Sequence, residues 1–140
     1  MPITLDVITP ERKVLSEVVD FVKARAHEGE LGVLPGHAPL FTSLRSDLVV
    51  ARKGQEEIVL AVMGGFLEVS PTGVTVLSPA AERADEIDSL RAEEARKRAQ
   101  IEIDRTRTTE GEAALSRALV RLKAVQLLGG RRIKGMRPPV

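Results

Sequence analysis

Hydrophobic and polar residues alternate with a period of two through the first part of the chain. Ile3, Leu5 and Val7 are separated by Thr4 and Asp6; Ile58, Leu60 and Val62 share one side of a later run; Val74 and Val76 flank Thr75. Alternation of this kind turns one row of side chains to a core and the other to solvent, so each run predicts a half-buried strand. The runs are broken at Thr9-Pro10-Glu11, Arg52-Lys53-Gly54-Gln55 and Pro71-Thr72-Gly73. Proline presets φ for a turn and glycine accepts positive φ, so these breaks predict tight connections. Short strands at this spacing, continuing to about Glu82, predict a sandwich or flattened barrel.

From Asp85 the pattern changes. Ala, Glu, Arg, Lys and Leu dominate, and neither Gly nor Pro occurs before Gly111, which is helix-forming composition. Asp85, Glu86 and Asp88 cluster where carboxylates cap free N–H groups and complement the macrodipole, so a first helix is predicted to start there. Residues 105–110 carry three Thr and precede Gly111; these poorer helix formers predict a hairpin turn. A second helix is predicted from about Glu112 to Leu128, with Leu115, Ala118, Leu119, Leu122 and Val125 on one face and Gly129-Gly130 as its end. Ala92, Ala95 and Ala99 form a small-residue stripe that allows close approach of the two helices. Helices of ~12–15 residues are marginal alone in water, so the pair is expected to pack on the sandwich with a modest hold, one that permits detachment. The expected fold is α+β: an N-terminal antiparallel β-sandwich, or flattened barrel, over residues 1–84, a C-terminal antiparallel two-helix hairpin over 85–128, and a flexible tail over 129–140.

Composition narrows the function. Among 140 residues there are 21 basic and 20 acidic side chains, a formal net charge of +1, no Cys, and three Phe with no Tyr or Trp. A nearly neutral chain without stacking aromatics is a poor nucleic-acid binder, and without Cys it has no disulfide framework or thiolate metal site. His27 and His37 lie ten residues apart, unlike the close pairs of zinc motifs. No phosphate-binding Gly-x-x-x-x-Gly-Lys-Ser/Thr loop and no Gly-x-Ser-x-Gly nucleophile setting occurs, so no catalysis is expected. No apolar run approaches the ~20 residues of a membrane span, and the expectation is a soluble cytoplasmic chain that meets a membrane only through a partner. Charge is unevenly spread. Arg131, Arg132, Lys134 and Arg137 give the last twelve residues all of the excess, with no acidic residue among them. That tail suits either a solvated end or an acidic docking partner.

Three stretches carry a family resemblance: Gly29-Glu30-Leu31-Gly32-Val33-Leu34-Pro35-Gly36-His37 with Ala38-Pro39-Leu40, Gly64 to Val69 (GGFLEV), and Ala81 to Asp88 (AERADEID), after an opening LDVITPE from Leu5 to Glu11. In this order they resemble the epsilon subunit of bacterial F-type ATP synthases, over about residues 3–128. The resemblance implies a non-catalytic central-stalk subunit whose sandwich binds the gamma subunit and the c-ring of the membrane rotor, coupling proton-driven ring rotation to ATP synthesis. It also implies a peripheral place at the cytoplasmic side of the cell membrane. Glu28, Glu30 and His37 fall on the loop that faces the ring in relatives; the plain alternative is that the glycines and prolines only build a connection and His37 satisfies its hydrogen bonds.

Ile87-Asp88-Ser89-Leu90-Arg91-Ala92 resembles the motif of relatives that bind ATP in the folded arm. On a 3.6-residue helix Asp88, Arg91, Ala95 and Arg98 share a side, where a carboxylate can accept from an adenine amino group or hold hydrated Mg²⁺ and guanidinium forks can hold phosphate. Glu82, Arg117 and Arg121 match further positions lining that site, and Ile87 and Ala92 suit the base. The expected site is therefore Glu82, Ile87, Asp88, Arg91, Ala92, Arg98, Arg117 and Arg121, with ATP, and possible Mg²⁺, as a regulatory ligand. Extension of the arm into the alpha/beta catalytic head is then expected to inhibit hydrolysis. The competing readings are the same subunit without nucleotide binding, in which Asp88 supports the helix start and Arg91 pairs with Glu86 or Glu94, and, remotely, a nucleic-acid-binding module using the basic tail.

Overall fold

A computed structural model describes residues 2–106 and 109–134. The strands are β1 (Ile3–Ile8), β2 (Lys13–Val19), β3 (Phe21–Ala26), β4 (Gly29–Val33), β5 (Leu40–Lys53), β6 (Glu56–Ser70), β7 (Gly73–Leu77) and β8 (Ala81–Arg83). A 3-10 turn over Ala84–Glu86 leads to α1 (Ser89–Thr106) and α2 (Thr109–Lys134). The strand order is β2-β1-β7-β6-β5-β3-β4, with β8 beside β6. Pairing is antiparallel except between β1 and β7, which run parallel with Leu5 opposite Val74.

The predicted alternation positions the core. Leu5, Val7, Val22, Leu60, Val62, Leu67, Val74 and Val76 are sealed between the layers of the sandwich. β5 and β6, the longest strands at 14 and 15 residues, stay paired from Leu40 opposite Val69 to Lys53 opposite Glu56 and so run through both layers. Gly64 and Gly65, both with positive φ, divide β6 into a half that pairs with β8 and a half that pairs with β7. A Cβ on Gly65 would stand 2.0 Å from the Leu77 carbonyl oxygen, so this glycine is required both for its backbone conformation and for the approach of β7.

One strand departs from the half-buried expectation. Val59 to Met63 of β6 are buried in unbroken succession. Leu60 and Val62 enter the sandwich core, while Val59, Ala61 and Met63 pack with Val120 and Ala124 of α2. The outer face of β6 is therefore a second core, closed by the arm.

The helices differ from expectation at their ends and on one face. Asp85 and Glu86 belong to the 3-10 turn, Ile87 is extended, and α1 proper begins at Ser89 with Asp88 before it. The middle of the predicted turn over residues 105–110, residues 107 and 108, lies outside the described residues; on either side of it α1 reaches Thr106, α2 starts at Thr109, and Gly111 lies in the first turn of α2. The buried Gly111 has no side chain to hinder close helix packing. Nor does α2 stop at Gly129-Gly130; it continues to Lys134. Two helical glycines cost about 1 kcal/mol each against alanine, which weakens a helix without ending it unless a residue turns left-handed, and Leu127 and Leu128 pack against the sandwich just before them. The end of the predicted tail, with Arg137, lies outside the described residues. On the second helix Ala118 is buried as expected, but Leu119 is 48% exposed, and the row Val120–Ala124 faces the sandwich instead.

Ion pairs flank that row on both sides. Arg121 Nε donates to Glu82 Oε1 at 3.0 Å, and Lys123 Nζ donates to Asp47 Oδ1 at 2.7 Å. Asp47 also receives Arg25 Nε at 3.1 Å and the Leu48 N–H at 2.7 Å. Partial burial pushes the Asp47 carboxyl up, but the hydrogen bonds from Lys123 and Leu48 and the charges of Lys123 and Arg25 together hold it below the usual aspartate range.

Two outcomes are expected. Gly65→Ala should destabilise the sandwich by about 3 kcal/mol or more, from backbone strain and overlap combined, read as a lower denaturant midpoint. A carboxyl depressed in the folded chain contributes stability above its unfolded pKa and loses it as pH falls through the folded value. Thermal melts should therefore show the parent losing its advantage over Asp47→Asn as pH drops below about 4, with the two converging in stronger acid.

Candidate nucleotide site between the arm and the sandwich

Each wall of the cleft has its own cause. β8 runs along β6 with Ala61 opposite Glu82, which sets Glu82 at the sandwich edge. The extended Ile87 then turns the chain into α1. Asp88 Oδ1 accepts the Leu90 N–H at 3.1 Å and the Arg91 N–H at 3.2 Å, the geometry of an N-cap that satisfies two of the free donors of the first turn. Among the described residues nothing bonds Oδ2 of Asp88. From this cap Arg91, Ala92, Ala95 and Arg98 follow at helical spacing along one side of α1, and Ala92, only 4% exposed, forms the floor.

These elements enclose a cavity of about 490 Å³ lined by Glu82, Glu86, Ile87, Asp88, Arg91, Ala92, Ala95, Arg98 and Arg121. Seven of the eight residues expected at a nucleotide site are in that lining. The eighth, Arg117, lines an adjoining groove of about 660 Å³ that shares Ala95, Arg98 and Arg121 with the first. Glu86 was not among the expected site residues; its signal was its place one residue before the Ile87–Ala92 motif, and in the structure it also meets Arg12 at 3.5 Å. The Arg91 pairing with Glu86 or Glu94 is not formed. Among the described residues Arg91, Arg98 and Arg117 have no acidic partner, whereas Arg121 is already held by Glu82. The family resemblance put Arg121 and Glu82 at the site without pairing them, because the pair spans 39 residues of sequence.

The loop residues are not drawn into one cluster. Glu28 is exposed at the turn between β3 and β4; Glu30, on β4, lies 3.9 Å from Lys23. His37 Nδ1 is 2.6 Å from the Ala38 carbonyl oxygen and the His37 backbone N–H donates to the Leu34 carbonyl oxygen, so the local hydrogen bonding of the plain alternative is present. Among the described residues no three His, Asp or Glu side chains are placed to hold a metal ion, and no helix is long and apolar enough to cross a membrane.

Comparison with known proteins decides the family. Residues 2–84 match the family described as "ATP synthase, Delta/Epsilon chain, beta-sandwich domain". The ATP synthase epsilon chain of Syntrophobacter fumaroxidans is 48% identical over 128 residues, covering 89% of this chain and 96% of that one. This chain belongs to the ATP synthase epsilon-chain family. The epsilon chain of Dehalococcoides mccartyi is 50% identical over 127 residues, covering 87% of this chain and 91% of its own length, so the likeness extends past the sandwich into the arm. An epsilon chain is a non-catalytic subunit of ATP synthase. Among solved structures, a chain of the Euglena gracilis mitochondrial ATP synthase (OSCP/F1/c-ring) aligns with a TM-score of 0.64 at 23% identity, over 92% of this chain and 80% of that one. A chain of the Tetrahymena thermophila central stalk and c-ring aligns at 0.53 and 11%, over 91% of this chain and 96% of that one. At such identities these show that the epsilon-chain fold is shared.

The cap separates two roles of Asp88. Asp88→Ala should lower helix content and cost about 1 kcal/mol, while Asp88→Asn, itself a good cap, should cost a few tenths; circular dichroism melts of the two variants against the parent read the difference.

Proposed function

We propose that the chain is a central-stalk subunit whose arm binds ATP while folded beside the sandwich and, when released, inhibits ATP hydrolysis by reaching the alpha/beta catalytic head. The observation that carries this reading is the convergence of β8, the Ile87–Asp88 connector, α1 and α2 on one cavity, bordered by the guanidinium groups of Arg91 and Arg98, which have no acidic partner among the described residues, with that of Arg117 in the adjoining groove. Unpaired guanidinium forks suit the oxygens of a triphosphate. Asp88 Oδ2 is available to accept from a base amino group while Oδ1 stays on the cap, Ile87 offers an apolar contact to the ring, and Ala92 leaves room for it. Glu82, Glu86 and Asp88 line the cavity, but among the described residues no three such side chains are placed to hold a metal ion together, so a Mg²⁺ ion accompanying the nucleotide would be held chiefly by phosphate and water.

Binding only the folded arm would favour closure by mass action, about 2.7 kcal/mol when ATP stands at ~100 times its dissociation constant. When ATP falls, α2 would detach, and its basic end would meet acidic segments of the head. The sandwich, in this reading, binds the gamma subunit and the c-ring, with Glu28, Glu30 and His37 on the ring side, and transmits proton-driven rotation. The chain's membership of the epsilon-chain family supports that role, and with it a peripheral position on the membrane complex; the cytoplasmic side of the cell membrane is part of the same proposal.

A second reading keeps the rotor and inhibitory roles without nucleotide binding. It is favoured by the structural work already done by Asp88 as a cap and by Arg121 on Glu82. Calorimetric titration of the purified chain with ATP, with and without Mg²⁺, separates the two. The sensor predicts saturable binding that Arg91→Ala and Arg98→Ala weaken about tenfold or more, the scale of a lost charge-assisted hydrogen bond, with Asp88→Asn also weaker although its helix is intact. Equal heats for all four proteins would leave the second reading.

A further inference from the structure

Residues two apart on a helix point about 200° apart, so Arg121 and Lys123 leave α2 on opposite sides of the Val120–Ala124 row. Arg121 faces the cleft that the proposed nucleotide would fill, and its partner Glu82 lines the same cavity. Lys123 faces away from it, into a separate crevice of about 210 Å³ lined also by Lys23, Arg25, Glu30, Asp47, Leu48 and Leu127. We propose that the Asp47–Lys123–Arg25 cluster in this crevice is a latch, independent of nucleotide, that sets how much of the population holds the arm closed.

Three features of the cluster suit a latch. Its anion belongs to the sandwich and is built in: the Asp47 side chain is 18% exposed, fixed by the Leu48 N–H and by Arg25 from the neighbouring strand β3. Its cation from the arm is the more exposed partner, Lys123 at 59%, so opening returns an ammonium group to water at little cost. When Lys123 leaves, Asp47 keeps Arg25 and Leu48, and no buried charge is stranded. An open arm is thereby a tolerable state of the chain, which a buried pair lacking other partners would forbid. The latch also differs from the Arg121–Glu82 pair in what a ligand does to it. Phosphate in the cleft would compete with Glu82 for Arg121 but cannot reach Asp47. The proposal rests on the reading of α1 and α2 as a detachable arm, and not on nucleotide binding.

The chain contains no cysteine, so a single introduced thiol reports one position. Val59→Cys places it under α2, reachable when the arm opens; Val62→Cys places it inside the sandwich core, reachable only on unfolding. Thiol labelling rates of both proteins are measured without nucleotide, in each of the parent, Lys123→Ala, Asp47→Asn and double-variant backgrounds. The latch predicts that either single variant speeds labelling at position 59 about fivefold, the ratio for a pair of roughly 1 kcal/mol, while labelling at position 62 is unchanged in Lys123→Ala and, since Asp47→Asn also weakens contacts within the sandwich, rises there by a smaller factor than at position 59. The double variant should label no faster than the singles, and raising salt from 0.05 to 0.5 M should speed labelling more in the parent than in any variant, since screening weakens the latch only where it is intact and the Arg121–Glu82 pair equally in all. Unchanged labelling at position 59, effects of the two singles that multiply in the double variant, or parallel acceleration at both thiols would overturn the latch. A failure of ATP to bind would leave these rates, and the latch, untouched.

Discussion

The contact of α2 with the outer face of β6 is the constraint from which the rest of the arm takes its position. Val120 and Ala124 settle on Val59, Ala61 and Met63, five modest side chains whose burial contributes roughly 1 kcal/mol apiece or somewhat more at 25 cal/mol per Å². Small residues keep the helix close to the strand, and that closeness lets Arg121 reach Glu82 and Lys123 reach Asp47 from either side of the row. α1 has no comparable apolar seat of its own. Among the described residues those it buries are Ala92 and Ala99, and it depends on α2 for its place beside the sandwich. A cleft between β8, the connector and both helices therefore exists only while α2 is seated.

The seat is also limited. The largest exposed apolar side chains of the helices, Leu90, Ile101 and Leu119, face solvent, and the flanking pairs are partly exposed, where ion pairs contribute ~0–1 kcal/mol. Such an interface is strong enough to order two helices that would be marginal alone and weak enough to be shifted by a ligand or by a competing surface. The sandwich is different in kind. Its core is sealed by fully buried leucines and valines from seven strands, and Gly65 lets β6 bend where β7 closes on it. One part of the molecule is closely packed throughout, and the other is held to it by a small apolar seat and two partly exposed ion pairs. A switch needs a bistable element of this sort.

Relatives at 48–50% identity match nearly their full length, while solved chains at 11–23% still align over more than nine-tenths of this one. Alternating strands, tight turns and small-residue helices specify this architecture through pattern, and pattern survives wide substitution. The charged residues in the cleft are less constrained by packing. A given arginine there serves the cavity or an ion pair according to which neighbour it meets, as Arg91 and Arg121 show by doing one each.

The linear chain by itself determined the strands of the sandwich, its turns, the change to helix after residue 84, and the group of residues around Ile87–Ala92 that share one side of α1. All of these follow from local periodicity, turn chemistry and spacing, which are properties of short segments. The same chain did not reveal that β6 is buried on both faces, that Val120 rather than Leu119 meets the sandwich, that α2 passes through Gly129 and Gly130, or that Glu82 and Asp47 secure the arm. Those outcomes depend on contacts between residues 39 to 76 positions apart, where packing outweighs the ~1 kcal/mol preferences that local sequence expresses. The tertiary structure decided them because only the folded sandwich presents the surface on which α2 must choose a face.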